Sequence, residues 1–105
     1  MAARVLSFKA MARRITADLV PRYLVEHPEA RVDAYATSEC VRLRIVDPSF
    51  EGRGLRERQA IVLPYLVELP KDVFDGIGIS LLISPKEREM SMLSLEFDDH
   101  SRRLL

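Results

Sequence analysis

One cysteine in 105 residues, Cys40, excludes an internal disulfide and fits a reducing compartment. Cytoplasm is therefore the expected location. The charges cancel, with 16 Lys plus Arg against 16 Asp plus Glu, so net charge selects no class of partner. No segment approaches the ~20 apolar residues of a membrane span, and the apolar run in the first ten residues is too short for a secretory signal. Ala3 to Arg14 carries Arg4, Lys9, Arg13 and Arg14 without an acid, a composition shared with transit peptides, but the stretch continues into a helix that reads as structural. Phosphate-binding loops, nucleophile–histidine pairings and metal-ligand clusters are all missing, so no enzymatic chemistry is expected. The two histidines, His27 and His100, fall in a connection and in a charged C-terminal stretch, and His27 reads as a solvated loop residue.

What is present is ordinary globular material. With 48% hydrophobic and 30% charged residues, the chain suits one domain, 1–105, burying about 65% of its unfolded surface, with residues 1–6 and 98–105 expected to fray. From Val5 through Phe8, Met11 or Ala12, Ile15, Leu19 and Tyr23 the apolar residues return every three or four positions, a helical stripe expected to end near Leu19 or Val20 because of Pro21 and to restart as a short turn. Arg31 to Thr37 alternates weakly in the manner of a strand. Val41 to Val46 alternates clearly, with Val41, Leu43 and Ile45 opposite Arg42 and Arg44, the pattern of a sheet covered on one side. The short connection through Ser38 and Glu39 makes these two strands a hairpin.

Asp47-Pro48-Ser49 ends the second strand, and Gly52 and Gly54 permit a tight turn before a helix from Leu55. In that helix Ile61, Val62, Tyr65, Leu66 and Leu69 form the buried stripe, Pro64 kinks it and Pro70 ends it. After a polar link, Ile77 to Ile83 is a third strand, apolar enough to lie centrally or beside the helices. Ser84-Pro85-Lys86-Glu87 has the serine cap, proline and returning glutamate of a helix start, for a helix reaching Leu95. The order implies an α+β fold, α-β-β-α-(α)-β-α, with a mixed three-stranded sheet and its helices packed on one face.

Several of these fragments, in this order, resemble the BolA-like family. Leu19-Val20-Pro21 resembles the end of the family's first helix, Val46-Asp47-Pro48-Ser49-Phe50-Glu51-Gly52 its strand exit and turn, and Ser84-Pro85-Lys86-Glu87 its last helix start. The resemblance spans roughly Ile15 to Glu89 and implies a fold shared with type II KH-like domains. It also implies a small protein-binding adaptor, partner to a monothiol glutaredoxin in iron-sulfur trafficking, that helps to bridge a [2Fe-2S] cluster. Cys40 falls at one of the family's two ligand positions. The other, around Asp75-Gly76-Ile77-Gly78, has no histidine, and Arg58-Gln59 stands where an arginine–histidine pair is expected. Glycine and glutamine do not replace imidazole on iron, so cluster binding would rest on Cys40 alone, and a lone cysteine beside a strand otherwise reads as a small buried hydrophobe.

Some family members are described as DNA-binding regulators, and the arginines allow that alternative. Arg42 and Arg44 on the open sheet face, with Arg53, Arg56 and Arg58 around the turn, would form a phosphate-reading surface. Glu51 and Glu57 interrupt it, and Gly52-Arg53-Gly54 lacks the glycine-x-x-glycine spacing of a KH clamp. Residues expected to contact a protein or nucleic acid are therefore Arg42, Arg44, Phe50, Gly52, Arg53, Arg56 and Arg58. A homodimerisation module using a sheet edge is the third reading.

Overall fold

In a computed structural model, which describes residues 6–88 and 90–103, the elements are α1 (Phe8–Glu26), β1 (Arg31–Ala36), β2 (Val41–Val46), a 3-10 turn (Pro48–Phe50), α2 (Leu55–Leu66), α3 (Lys71–Asp75), β3 (Ile77–Ile83), α4 (Pro85–Arg88) and α5 (Met92–Arg103). The sheet order is β1-β2-β3, with β1 antiparallel and β3 parallel to the central β2. This is the expected α+β layout with the split middle helix. No helix among the described residues is long and apolar enough to cross a membrane.

The alternation of β2 builds the main core. Val41, Leu43 and Ile45 meet Met11, Ile15, Leu19 and Tyr23 of α1, and Phe50, Val62, Leu69, Val73 and Leu82 close the cluster. Burying each such side chain contributes about 1.5–3 kcal/mol. Pro21 does not end α1, which runs on to Glu26. Tyr23 is fully buried, and Arg22 bonds Asp18, Glu68 and the Tyr65 carbonyl, so tertiary anchoring of the last turn offsets the hydrogen bond that proline removes. The expected polar link after Pro70 is instead α3, which contributes Val73 to the core, and β3 is an edge strand beside the helices, the second of the two placements expected for it.

The sheet is covered on both faces, not one. Asp33 and Tyr35 of β1 stand opposite Arg44 and Arg42 in the ladder, and α5 lies over them, with Phe97 edge-on to Tyr35 and fully buried Ser94 bonded to Arg44. The helix expected from Ser84 to Leu95 is two helices. Ser84 and Glu87 do cap reciprocally, Ser84 N–H donating to Glu87 at 2.8 Å and Glu87 N–H to Ser84 Oγ at 3.3 Å, but only four helical residues follow. Asp98, expected to begin a frayed end, lies in α5 and accepts from Arg44 and Arg88; of the expected frayed residues, 1–5, 104 and 105 lie outside the described ones.

Candidate functional site

Cys40 closes the hairpin. Thr37 Oγ1 accepts from the N–H groups of Glu39 and Cys40 and donates to the Cys40 carbonyl, a side-chain turn that sets where β2 starts. The half-buried thiol lies across the β2–β3 bulge against Gly78, where an added Cβ would sit 2.6 Å from both Cys40 Cβ and Sγ. A [2Fe-2S] cluster needs four thiolate or imidazole ligands, and this corner supplies one. Among the described residues no three His, Cys, Asp or Glu side chains converge to hold a metal. The residues present do not fit a cluster held by this chain.

The Phe50 turn positions the next helix. Asp47 Oδ1 accepts from Ser49 N–H at 2.8 Å, the Asp47 carbonyl from Phe50 N–H at 3.0 Å, and the Phe50 carbonyl from Arg53 N–H at 3.0 Å. Gly52 has φ +75°, a left-handed conformation that suits glycine. Phe50 itself is fully buried, so it anchors the turn and presents nothing to a partner. Arg58 is likewise structural: its guanidinium lies over the Phe50 ring and donates to the Arg53 and Leu82 carbonyls and to Glu87 at 2.7 Å. The bond Arg58 donates to Glu87, with the Ser84 amide, holds the Glu87 carboxyl down at about 2.

The expected arginine surface is largely consumed inside the fold. Arg44 has no exposed side-chain area; it donates to Asp33 at 2.7 Å, to Asp98 at 3.0 Å, and to the Ser94 carbonyl and hydroxyl at 3.0 and 2.8 Å. Its guanidinium also stacks on Phe97, 5.2 Å from the ring centre. A buried cation needs such complete pairing, and α5 provides it. Burial acts to raise the Asp98 carboxyl, and Arg88 and Arg44 outweigh it, leaving the group below its ordinary value. Arg42 spans Tyr35 Oη and Glu96 across the strand. Arg53 bonds the Ser49 carbonyl beside Glu57, and of the five arginines expected on this surface only exposed Arg56 makes no hydrogen bond or ion pair among the described residues.

His27 is not a solvated loop residue. Its ring stacks on Tyr23 at 4.3 Å between centroids, and Nδ1 lies 3.0 Å from Asp47 Oδ2, which also accepts from Tyr23 Oη at 2.6 Å. Burial works to raise the Asp47 carboxyl, but Tyr23, the Ser49 amide and His27 together hold it below its ordinary value. The network ties the end of α1 to the exit of β2, at the opposite end of that strand from Cys40. Tyr23 on the apolar stripe was the available signal, since a buried phenol seeks an acceptor.

Sequence periodicity also missed the outward side of α2. Only Val62 of that helix is fully buried, while Leu55, Leu63 and Val67 are 62%, 49% and 60% exposed. Their spacing of eight and four residues keeps them on one side of the helix. On the side of α2 that faces α1, a separate groove of about 580 Å³ is lined by Val25, Ile61, Pro64 and Tyr65 together with the polar Arg22, Glu26, His27 and Glu68. No family model matches the chain, and neither a curated protein nor a solved structure matches it.

Proposed function

We propose that the chain is a non-enzymatic, cytoplasmic BolA-like adaptor that docks a protein partner of the monothiol-glutaredoxin type on the outward side of α2. The observation that carries this reading is the exposed stripe Leu55, Leu63 and Val67 on the helix that follows the Phe50-Glu51-Gly52 turn. Large apolar side chains at helical spacing are costly to leave in water and mark contact surfaces when they gather. The turn sets the helix in place, and exposed Arg53 and Arg56 border the stripe at its start. Cluster binding is lost or conditional on Cys40, with every other ligand supplied by the partner.

Nucleic-acid binding has less support, because Arg44 and Arg58 are committed internally and Arg42 and Arg53 are paired with Glu96 and Glu57. The test is complex formation with a cluster-loaded monothiol glutaredoxin, followed by light scattering and visible absorption, for the wild type and for Leu63→Asp. Loss of the complex in Leu63→Asp with unchanged circular dichroism supports the reading. A mass that rises with the chain's own concentration and ignores the glutaredoxin would replace it with homodimerisation through the same stripe.

A further inference from the structure

The two edges of the sheet are treated differently by the fold. On β3, Ile83 gives its carbonyl to Asp47 N–H, so the alternating Leu82 carbonyl faces outward, and Arg58 occupies it at 2.9 Å. That side chain closes the C-terminal end of this edge. On β1, the Thr37 N–H to Cys40 carbonyl bond at 2.8 Å fixes Tyr35–Arg42, Asp33–Arg44 and Arg31–Val46 as the hydrogen-bonded pairs. Val32, Ala34 and Ala36 therefore turn their N–H and C=O groups away from β2, and those groups have no partner among the described residues. None of the three is a lysine or proline and the β1–β2 ladder has no bulge, so at these outward-facing positions the edge lacks those protections, although Arg31 and Asp33 are charged residues of the same strand.

Beside this edge runs a groove of about 540 Å³ under α1. Ala12, Ala17, Ala34 and Ala36 make most of its lining small, Thr16 and Tyr35 complete it, and Lys9 and Arg13 are its charged residues, with no acidic one. Both cations are exposed and have no ion-pair partner among the described residues. They also lie in the first two turns of α1, which has no acid in its first turn, where positive side chains oppose the helix dipole. An anion bound there would relieve that cost.

We infer that this groove binds an extended acidic peptide segment, which adds to β1 as a fourth strand and places its carboxylates against Lys9 and Arg13. Main-chain hydrogen bonds to Val32, Ala34 and Ala36 supply the pairing, small side chains leave room for the added strand, and the two cations select the charge. A second copy of the chain suits the groove poorly, because pairing two β1 edges would bring Lys9 and Arg13 of both copies together. The site is separate from the α2 stripe and does not depend on it.

Fluorescence anisotropy with a labelled, acetylated hexapeptide of alternating aspartate and valine tests the inference. Binding should weaken with added salt and fall at least about tenfold in Lys9→Gln/Arg13→Gln. Methylating the peptide nitrogens at one alternate set of residues should abolish binding, while the other set leaves it intact, because only one edge of the probe pairs. Ala34→Pro, at an outward N–H where edge strands tolerate proline, should also block the probe while circular dichroism reports an intact fold. Four results would each overturn the inference: no binding of the probe, equal binding of a lysine–valine counterpart, indifference to both methylation sets, or displacement of the probe only by an oligonucleotide. Leu63→Asp should leave peptide binding unchanged.

Discussion

Replacing Arg44 by leucine removes the group that joins α5 to the sheet. The substitution leaves the Ser94 hydroxyl, in a residue with no exposed area, without its donor at 2.8 Å, and removes from the Ser94 carbonyl the 3.0 Å bond it makes in addition to its helical one. The orphaned hydroxyl costs about 1–3 kcal/mol. Asp33 and Asp98 lose a cation but are each 22% exposed and keep Arg31 and Arg88, so water and the remaining partners limit that part of the loss. Leucine against Phe97 recovers some apolar contact. The net destabilisation should be about 3 kcal/mol, a large share of the ~5–15 kcal/mol available to a domain of this size. Urea denaturation followed by far-ultraviolet circular dichroism should show a midpoint lower by roughly 1.5–3 M, and a thermal midpoint lower by roughly 15 °C. Arg42→Leu, in which only the exposed arm of the same face is lost, should move the midpoint far less. A shift for Arg44→Leu below about 1 kcal/mol, or equal to that of Arg42→Leu, would refute the burial of Arg44 under α5.

Three other outcomes follow from the same packing. The Glu87 carboxyl sits at about 2 in the fold against an ordinary 4.5, so its contribution is fully present above about pH 4.5 and is lost as pH falls towards 2; Glu87→Gln should flatten stability across that window in acid titrations. Gly78→Ala places a methyl 2.6 Å from Cys40 Cβ and Sγ and should cost about 1–3 kcal/mol in chemical denaturation, with Gly78→Ala/Cys40→Gly losing less than the sum of the single changes. Tyr23→Phe leaves buried Asp47 without its 2.6 Å donor and should cost about 1–3 kcal/mol, and the Asp47 carboxyl should titrate at higher pH by nuclear magnetic resonance.

Features governed by local chemistry were legible in the sequence. The Val41–Val46 alternation, the Ser84–Glu87 cap and the turn at Gly52 each depend on neighbours a few residues away, and all three stand in the fold. Long-range pairings were not legible. Arg42 and Arg44 read as an open sheet face because their partners, Glu96, Ser94 and Asp98, lie 50 or more residues along the chain. His27 read as a loop residue because Asp47 reaches it only after two strands have folded back. Pro21 read as a helix end because its penalty is local, whereas the Tyr23 and Arg22 contacts that overcome it are tertiary. Within the candidate site, Gly52, Arg53 and Arg56 keep the exposure expected of them, while Phe50, Arg44 and Arg58 serve as anchors. The apolar stripe on α2 escaped notice because exposure of leucine is invisible until the buried side of the helix is known.

The most direct measurement is the mass and visible spectrum of wild type and Leu63→Asp mixed with a monothiol glutaredoxin carrying a [2Fe-2S] cluster. An adaptor docking through α2 should give a one-to-one complex with an altered spectrum for the wild type, and none for Leu63→Asp. The absence of any wild-type complex at high micromolar concentration, or an equally stable complex with Leu63→Asp, would contradict it.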